Sequence, residues 1–485
     1  MRRTEVLSVA SEVYPLIKTG GLADVAGALP YAMKAEGFRL RTLVPGYPAV
    51  MKAVKRAETA YAFTDYFGGP ARILTAKPGG LELFILDAPH LFNRPGGPYI
   101  DQSGVDWADN PIRFAALSRA GASLASGLLP TYQPKIVHAH DWQTGLVPAY
   151  LHYGGGGRPG VVMTVHNLAF QGQYDRRLLA SLGLPPQAFT NDGVEYYGDI
   201  GYLKAGIRMS DRITTVSPTY AAEICTAEGG MGLEGLLRGR ADKLSGILNG
   251  IDDQVWNPAT DPYIAQTYAD ADPAVRAANK ADLQARFGLD QNPDACVFAV
   301  VSRLSWQKGL DLLLAALPVL LSEGAQLVLL GSGDPEIQVG FSAAEREHLG
   351  RVGCEFRYDE PMAHRVQAGA DALIVPSRFE PCGLTQLYAL RYGAVPVVAR
   401  VGGLSDTVID AGPMAISAGV GTGVQFAPVN GAMLENTIRR AVRLYRNRPV
   451  WQRMRANGMA TDVSWGNPAR RYAELFDGLI AERGG

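Results

Sequence analysis

The chain has 485 residues, 47% of them hydrophobic and 19% charged, with a formal net charge of −1 at pH 7. That length provides for two domains with separate cores, and the near-neutral balance excludes the electrostatic footprint of a protein bound to nucleic acid or an acidic membrane surface. Cys225, Cys296, Cys354 and Cys382 are scattered without metal-ligand spacing, which predicts a reducing compartment.

The opening residues, MRRTEVLSVASEVYP, reach Glu5 at once and lack a long apolar run, so they read as a first strand rather than a signal peptide. Further strands are predicted at 40–44, 81–86, 135–138, 160–165, 212–216 and 244–248, after a first at 6–10. Helical patterns at 29–36, 112–126, 146–153 and 218–226 fall between several of them. That alternation implies right-handed βαβ units and a mainly parallel sheet covered on both faces. Residues 249–268, rich in Asn, Asp and Pro, break the rhythm and read as a connection between domains. A second α/β series follows, with strands predicted at 297–302, 326–330, 354–358, 372–376 and 395–399. Its most apolar helix, 310–321, contains Asp311 and Pro318 and is too short to cross a bilayer. The tail, 468–483, is a helix with Tyr472, Leu475, Phe476, Leu479 and Ile480 on one side. The expected fold class is α/β, with two doubly wound Rossmann-like domains, and the expected location is the cytoplasm.

Four stretches carry chemistry. In PLIKTGGLADVAGALP, Gly20 and Gly21 stand between a strand and a helix, where backbone N–H groups can approach a phosphate, and Lys18 adds a point charge. The Walker spacing is absent, and a tight turn with a surface lysine is the competing reading. His138-Ala139-His140-Asp141 ends a strand, as does His166. A metal-hydrolase site could open on such an HxH pair but lacks further ligands; the other reading makes Asp141 and His166 hydrogen-bonding groups for a polyhydroxylated ligand. In SRLSWQKG, Arg303 and Lys308 share one strand-to-helix loop, a fork and a compact charge suited to a diphosphate, or else two solvated cations. Gly331 and Gly333 provide backbone room after the next strand.

The fourth stretch is DALIVPSRFEPCGLTQLYALRYGAVPVVARVGGL. An apolar strand leads into an elbow that holds Glu380, Cys382, Gly383, Leu384 and Thr385, and a helix follows. Open α/β sheets bind ligands at this corner, and the helix start offers free N–H groups to an anion. Glu380 serves the ligand or merely caps the helix.

Taken in order, KTGGLADV, HAHDWQTGL, TVHNLAFQG, LNGID, SRLSWQKG and SRFEPCGLTQLYALRYG resemble the bacterial glycogen synthases and related plant starch synthases. The resemblance implies a glycosyltransferase fold of the B type, with its two domains facing across a cleft. An acceptor-side domain would span 1–248 and a nucleotide-sugar domain 249–462, with the helix 463–485 returning to the first. It implies glucose transfer from ADP-glucose to the non-reducing end of an α-1,4-glucan, with retention and without metal or other cofactor. Lys18 is similar to the donor-contacting lysine, Arg303 and Lys308 to the diphosphate pair, and Glu380 to the carboxylate on the transferred glucose. His166 and Asp141 match groups around that sugar, Asn249 the position in NGID that reaches the same site, and Tyr358 an aromatic stacked on the nucleobase. Tyr358 here follows Arg357, where the family pattern has glycine.

A departing diphosphate is stabilised by preorganised positive charge, which Arg303 and Lys308 supply without a metal. Transfer activity is therefore expected to survive EDTA. Loss of turnover on chelation, restored by a divalent ion, would contradict this.

Overall fold

The computed structural model describes residues 3–155, 158–270 and 272–484. The chain divides into two units, Met1–Asn249 with Trp465–Gly485, and Gly250–Ser464.

Runs of Val, Leu and Ile buried on both faces give the first unit its long sheet. Its strands are β1 (Thr4–Val9), β2 (Phe38–Pro45), β3 (Glu58–Phe63), β4 (Ala71–Ala76), β5 (Leu83–Asp87), β6 (Ile136–His140), β7 (Gly160–Val165), β8 (Arg212–Thr215) and β9 (Leu244–Gly246). They are ordered β9-β8-β7-β6-β1-β2-β5-β4-β3. Pairing is parallel from β9 to β5, and β3 and β4 complete the sheet as an antiparallel hairpin. The sequence reading placed no strand there, because β3 is an edge strand with an irregular register and no fully buried residue to give it an apolar rhythm. A small separate sheet joins Gln173–Tyr174, Asp199–Gly201 and Glu195–Tyr196.

The two faces bury different residues. Leu7, Val9, Val137, Val161 and Met163 lie in one core with Phe114 and Leu151. Val6, Ile136 and Val162 point the other way, into a core with Leu29, Trp465, Tyr472, Phe476 and Leu479. The helix Gly466–Gly484 thus belongs to the first unit, with Phe476 packed edge-on against Phe38 at 5.5 Å. The helix predicted at 29–36 instead spans Gly21–Ala32; Pro30 sits in its last turn, where a missing N–H costs one bond.

The second unit carries a six-stranded sheet, all parallel: β10 (Val297–Val301), β11 (Gln326–Leu330), β12 (Val352–Glu355), β13 (Ala372–Val375), β14 (Val395–Ala399) and β15 (Val424–Phe426). Their order is β12-β11-β10-β13-β14-β15. The strand predicted at 354–358 begins and ends earlier, so Tyr358 lies in the loop before the helix Glu360–Gly369. The three-residue edge strand β15 was too short to announce itself.

The amino end of this sheet is fastened by charge. Asp371, 4% exposed, precedes β13 and accepts from Lys280 at 2.7 Å, Arg455 at 2.6 Å and the Val297 backbone N–H at 3.1 Å. Lys280 and Arg455 come from the helices Pro273–Arg286 and Arg448–Ala460. Burial alone would raise the Asp371 carboxyl, but Lys280 and Arg455 outweigh it and hold it below the usual carboxylate range. Replacing only one partner strands the others, typically at about 3–5 kcal/mol. Asp371→Asn is expected to lower the unfolding free energy by about that much in urea titrations near neutral pH. Because the folded pKa is depressed, the stabilisation is present above the unfolded carboxylate pKa, about 3.9, and fades as the pH falls through the folded value. A loss below about 1 kcal/mol, the size of a surface pair, would contradict it.

Candidate active site

Among their parallel strands both sheets reverse strand order once, and ligands of open α/β sheets bind at such switch points, beyond the carboxyl ends of the strands. In the second unit the reversal lies between β10 and β13. The loops leaving those strands carry Arg303 to Lys308 and Ser377 to Leu384. They touch at Gly309, which has φ +65 and stands where an added Cβ would lie 2.0 Å from the Pro376 carbonyl oxygen. Only glycine fits that contact.

The contact brings Lys308 onto Glu380. Lys308 Nζ lies 2.6 Å from Glu380 Oε2, and Ser377 Oγ donates to the same oxygen at 2.9 Å. Glu380 is 6% exposed. The helix Thr385–Tyr392 starts at Leu384 with no side-chain cap, so Glu380 is not its capping residue. Gly383 turns the chain at φ +74, and Gln386 Nε2 donates back to the carbonyls of Cys382 and Gly383, holding the elbow in shape. Cys382 is buried beneath it.

Two arginines on these loops differ in kind. Arg378 is committed to Asp311 through two hydrogen bonds, at 2.7 and 2.6 Å, and stacks over Trp306. Arg303 is exposed, and its guanidinium has no hydrogen bond or ion pair among the described residues. Tyr358 is 69% exposed, and its hydroxyl donates to Glu360 at 2.8 Å. Arg357 beside it is taken up by Glu355 and Asp359.

In the first unit the reversal lies between β1 and β6. Beyond β1, buried Glu12 accepts the Thr19 N–H and the Tyr99 hydroxyl, and Ser11 Oγ meets that hydroxyl at 2.7 Å. These bonds fasten the KTGG turn. Lys18 pairs with Asp24 at 2.7 Å. Gly20 has extended backbone, and nothing lies within 4 Å of where its Cβ would be, so what it preserves is open space. Gly21 begins the helix.

Asp141, at the end of β6, has φ +58, a region non-glycine residues rarely adopt. Its Oδ1 accepts the backbone N–H of His166 at 2.6 Å and of Asn167 at 3.4 Å. Burial pushes its carboxyl up to about 7, against the pull of those amides. Burial likewise pushes His138 and His166 down to about 3 and His140 well below its ordinary value, so all three rings are neutral at neutral pH. His138 and His140 hydrogen-bond to Thr164, Ser8 and His166. Among the described residues no group of three or more His, Cys, Asp or Glu side chains is placed to hold a metal ion. Asn249 is buried, with Oδ1 unpartnered among the described residues.

The structure therefore joins Lys308 with Glu380 and Asp141 with His166, and gives Lys18 to Asp24. Sequence reasoning missed Glu12, Ser377 and Tyr99. The first two are polar residues just beyond apolar strands, which is a usable signal; Tyr99 sits in an irregular loop and announces nothing.

Comparison with known proteins bears on the fold and the family. A family model for the starch synthase catalytic domain matches residues 5–239, and one for glycosyl transferases group 1 matches 283–459. Glycogen synthase of Rhodopseudomonas palustris (strain BisB18) is 61% identical, covering 100% of this chain and 99% of its own. That of Methylocella silvestris is 59% identical over 100% of both. The catalytic domain of starch synthase IV from Arabidopsis thaliana, solved with ADP and acarbose, superposes with a TM-score of 0.90 at 33% identity, covering 99% of this chain and 100% of that one. Sucrose-phosphate synthase from Thermosynechococcus elongatus shares the fold, with a TM-score of 0.62 at 18% identity, over 99% and 100% of the two chains. The chain has the glycosyltransferase B-type fold and belongs to the glycogen synthase family of glycosyltransferases.

Proposed function

We propose that the chain transfers glucose from ADP-glucose to the non-reducing end of an α-1,4-glucan, with retention at the anomeric carbon, and that it works in the cytoplasm. The observation that carries this reading is the 2.6 Å contact of Lys308 with Glu380 beside an uncapped helix start. A cation, a carboxylate and backbone N–H groups share one corner, which suits a sugar joined to a diphosphate. The relative solved with ADP and acarbose supports the choice of nucleotide and glucan. Four free cysteines, and the lack among the described residues of a helix long and apolar enough to cross a membrane, accord with the location.

In this reading the bond from glucose C1 to the β-phosphate oxygen breaks, and its electron pair stays on the diphosphate. Arg303, Lys308 and the amides at Gly383, Leu384 and Thr385 meet that charge. Glu380 holds the glucose as positive character grows at C1. The glucan hydroxyl bonds to C1 on the face the diphosphate leaves, and its proton passes to the departing phosphate. Tyr358 stacks on the base, Cys382 shapes the elbow, and Lys18, Gly20, Gly21, Asn249, Asp141 and His166 serve donor and sugar from the first unit's residues.

Radiolabel transfer to glycogen tests the reading. ADP-glucose is expected to exceed UDP-glucose in kcat/KM by at least about tenfold, or about 1.4 kcal/mol; equal efficiencies would show that the base is not selected. Glu380→Gln is expected to cut kcat about 100- to 1,000-fold. ADP affinity by calorimetry should persist in that variant, since neutralising Glu380 releases Lys308 for the phosphates. Near wild-type kcat would remove Glu380 from the reaction.

A further inference from the structure

The face of the first sheet that carries Val6, Ile136 and Val162 turns polar two residues further along each strand. In register, Ser8 of β1 neighbours His138 of β6, and His140 neighbours Thr164 of β7, which neighbours Thr214 of β8. All five residues are at most 2% exposed. The helix Gly466–Gly484 roofs the row, with Tyr472 and Phe476 rings 5.3 and 5.7 Å from that of His138. A buried polar row under an apolar roof is costly unless its protons are all placed.

Along His140 their placement follows from the partners, whereas His138 Nδ1 has none among the described residues. Ser8 Oγ has one partner among the described residues, His140 Nε2 at 3.2 Å. A buried hydroxyl that only accepts leaves its own proton unsatisfied, so Ser8 donates and His140 Nε2 is bare. A neutral imidazole with a bare Nε2 carries its proton on Nδ1. His140 Nδ1 lies 3.0 Å from His166 Nε2, and so donates to it. His166 must then hold its proton on Nδ1, a nitrogen with no protein partner among the described residues. Meanwhile Asp141, the next residue along, holds the backbone of His166. Two adjacent residues at the end of β6 thus grip His166, one by its amide and one by its ring.

We propose that His140, steered by Ser8, is a positioning residue for His166: it fixes the ring's rotation and tautomer so that Nδ1–H faces outward as a donor to a sugar oxygen. This rests on the reading that His166 serves the transferred sugar. Thr164, which bonds Thr214 at 2.6 Å and His138 at 2.6 Å, extends the same row without touching His166.

The test compares His140→Phe, His140→Asn, Ser8→Ala, His166→Ala and the double variant His140→Phe/His166→Ala in the full chain, using ADP-glucose and glycogen. His140→Phe keeps the ring's bulk without its nitrogens and is expected to lower kcat about 10- to 100-fold, the usual effect of losing an orienting partner, with KM for ADP-glucose little changed. His140→Asn restores an N–H near the Nδ1 position and should recover much of the loss. The double variant should be no worse than His166→Ala alone. Nitrogen-15 spectra of histidine-labelled protein should show His166 protonated on Nδ1, and a mixture of tautomers in Ser8→Ala, the variant that answers the question if His140→Phe does not fold. If His166→Ala keeps full turnover, the sugar-contact reading itself falls, and this proposal with it. If His166→Ala is impaired but His140→Phe or Ser8→Ala only lowers the melting temperature, or if His166 is protonated on Nε2, the positioning role alone is overturned.

Discussion

A parallel strand must be entered from one end of its sheet and left from the other, and every other feature of the two units answers to that constraint. Connections that follow the parallel strands emerge on the same edge. Beside the switch points that edge gathers Glu12, Asp141 and His166 in one unit, and Arg303, Lys308 and Glu380 in the other. The opposite edge carries no such burden in the second unit, and there Asp371 is held by Lys280, Arg455 and a backbone N–H, while Lys280 also donates to the Tyr445 hydroxyl. Charge that stabilises and charge proposed to react are kept at opposite ends of one strand, β13.

The Lys308–Glu380 pair illustrates why a buried ion pair is weak evidence for stability. Both groups lose water, and of the two carboxylate oxygens only Glu380 Oε2 has protein partners among the described residues, Lys308 and Ser377. Asp371, by contrast, has both oxygens engaged. In the proposed reaction this pair is a charge held ready for exchange: an arriving phosphate would take over Lys308, and a sugar hydroxyl would take over Glu380.

Much of this was legible in the chain. The strands Gly160–Val165, Gln326–Leu330 and Val395–Ala399 fall where apolar runs bounded by turn residues put them. What failed was what depends on distant partners. The edge strand β3 has no fully buried residue to pattern, and the helix Gly21–Ala32 hides its proline in the last turn. The HxH motif could be read as a metal site because its actual partners, Ser8 and Thr164, lie far away in sequence and meet it only through strand register. Gly309 was visible as a glycine, but its reason, the Pro376 carbonyl, was not.

The helix Gly466–Gly484 has a consequence for how the protein is made. During synthesis β1, β2, β6 and β7 leave the ribosome long before the helix that roofs them, with the whole second unit in between. Until residues beyond 464 emerge, Val6, Phe38, Ile136 and Val162 have the helix Gly21–Ala32 in their core but lack Trp465, Tyr472, Phe476 and Leu479. Domains ordinarily fold as they are translated. Here the second unit can be finished first, while one face of the first stays partly uncovered for the time needed to add over 200 residues. The order of the chain delays the completion of the first unit's core until its last helix is made.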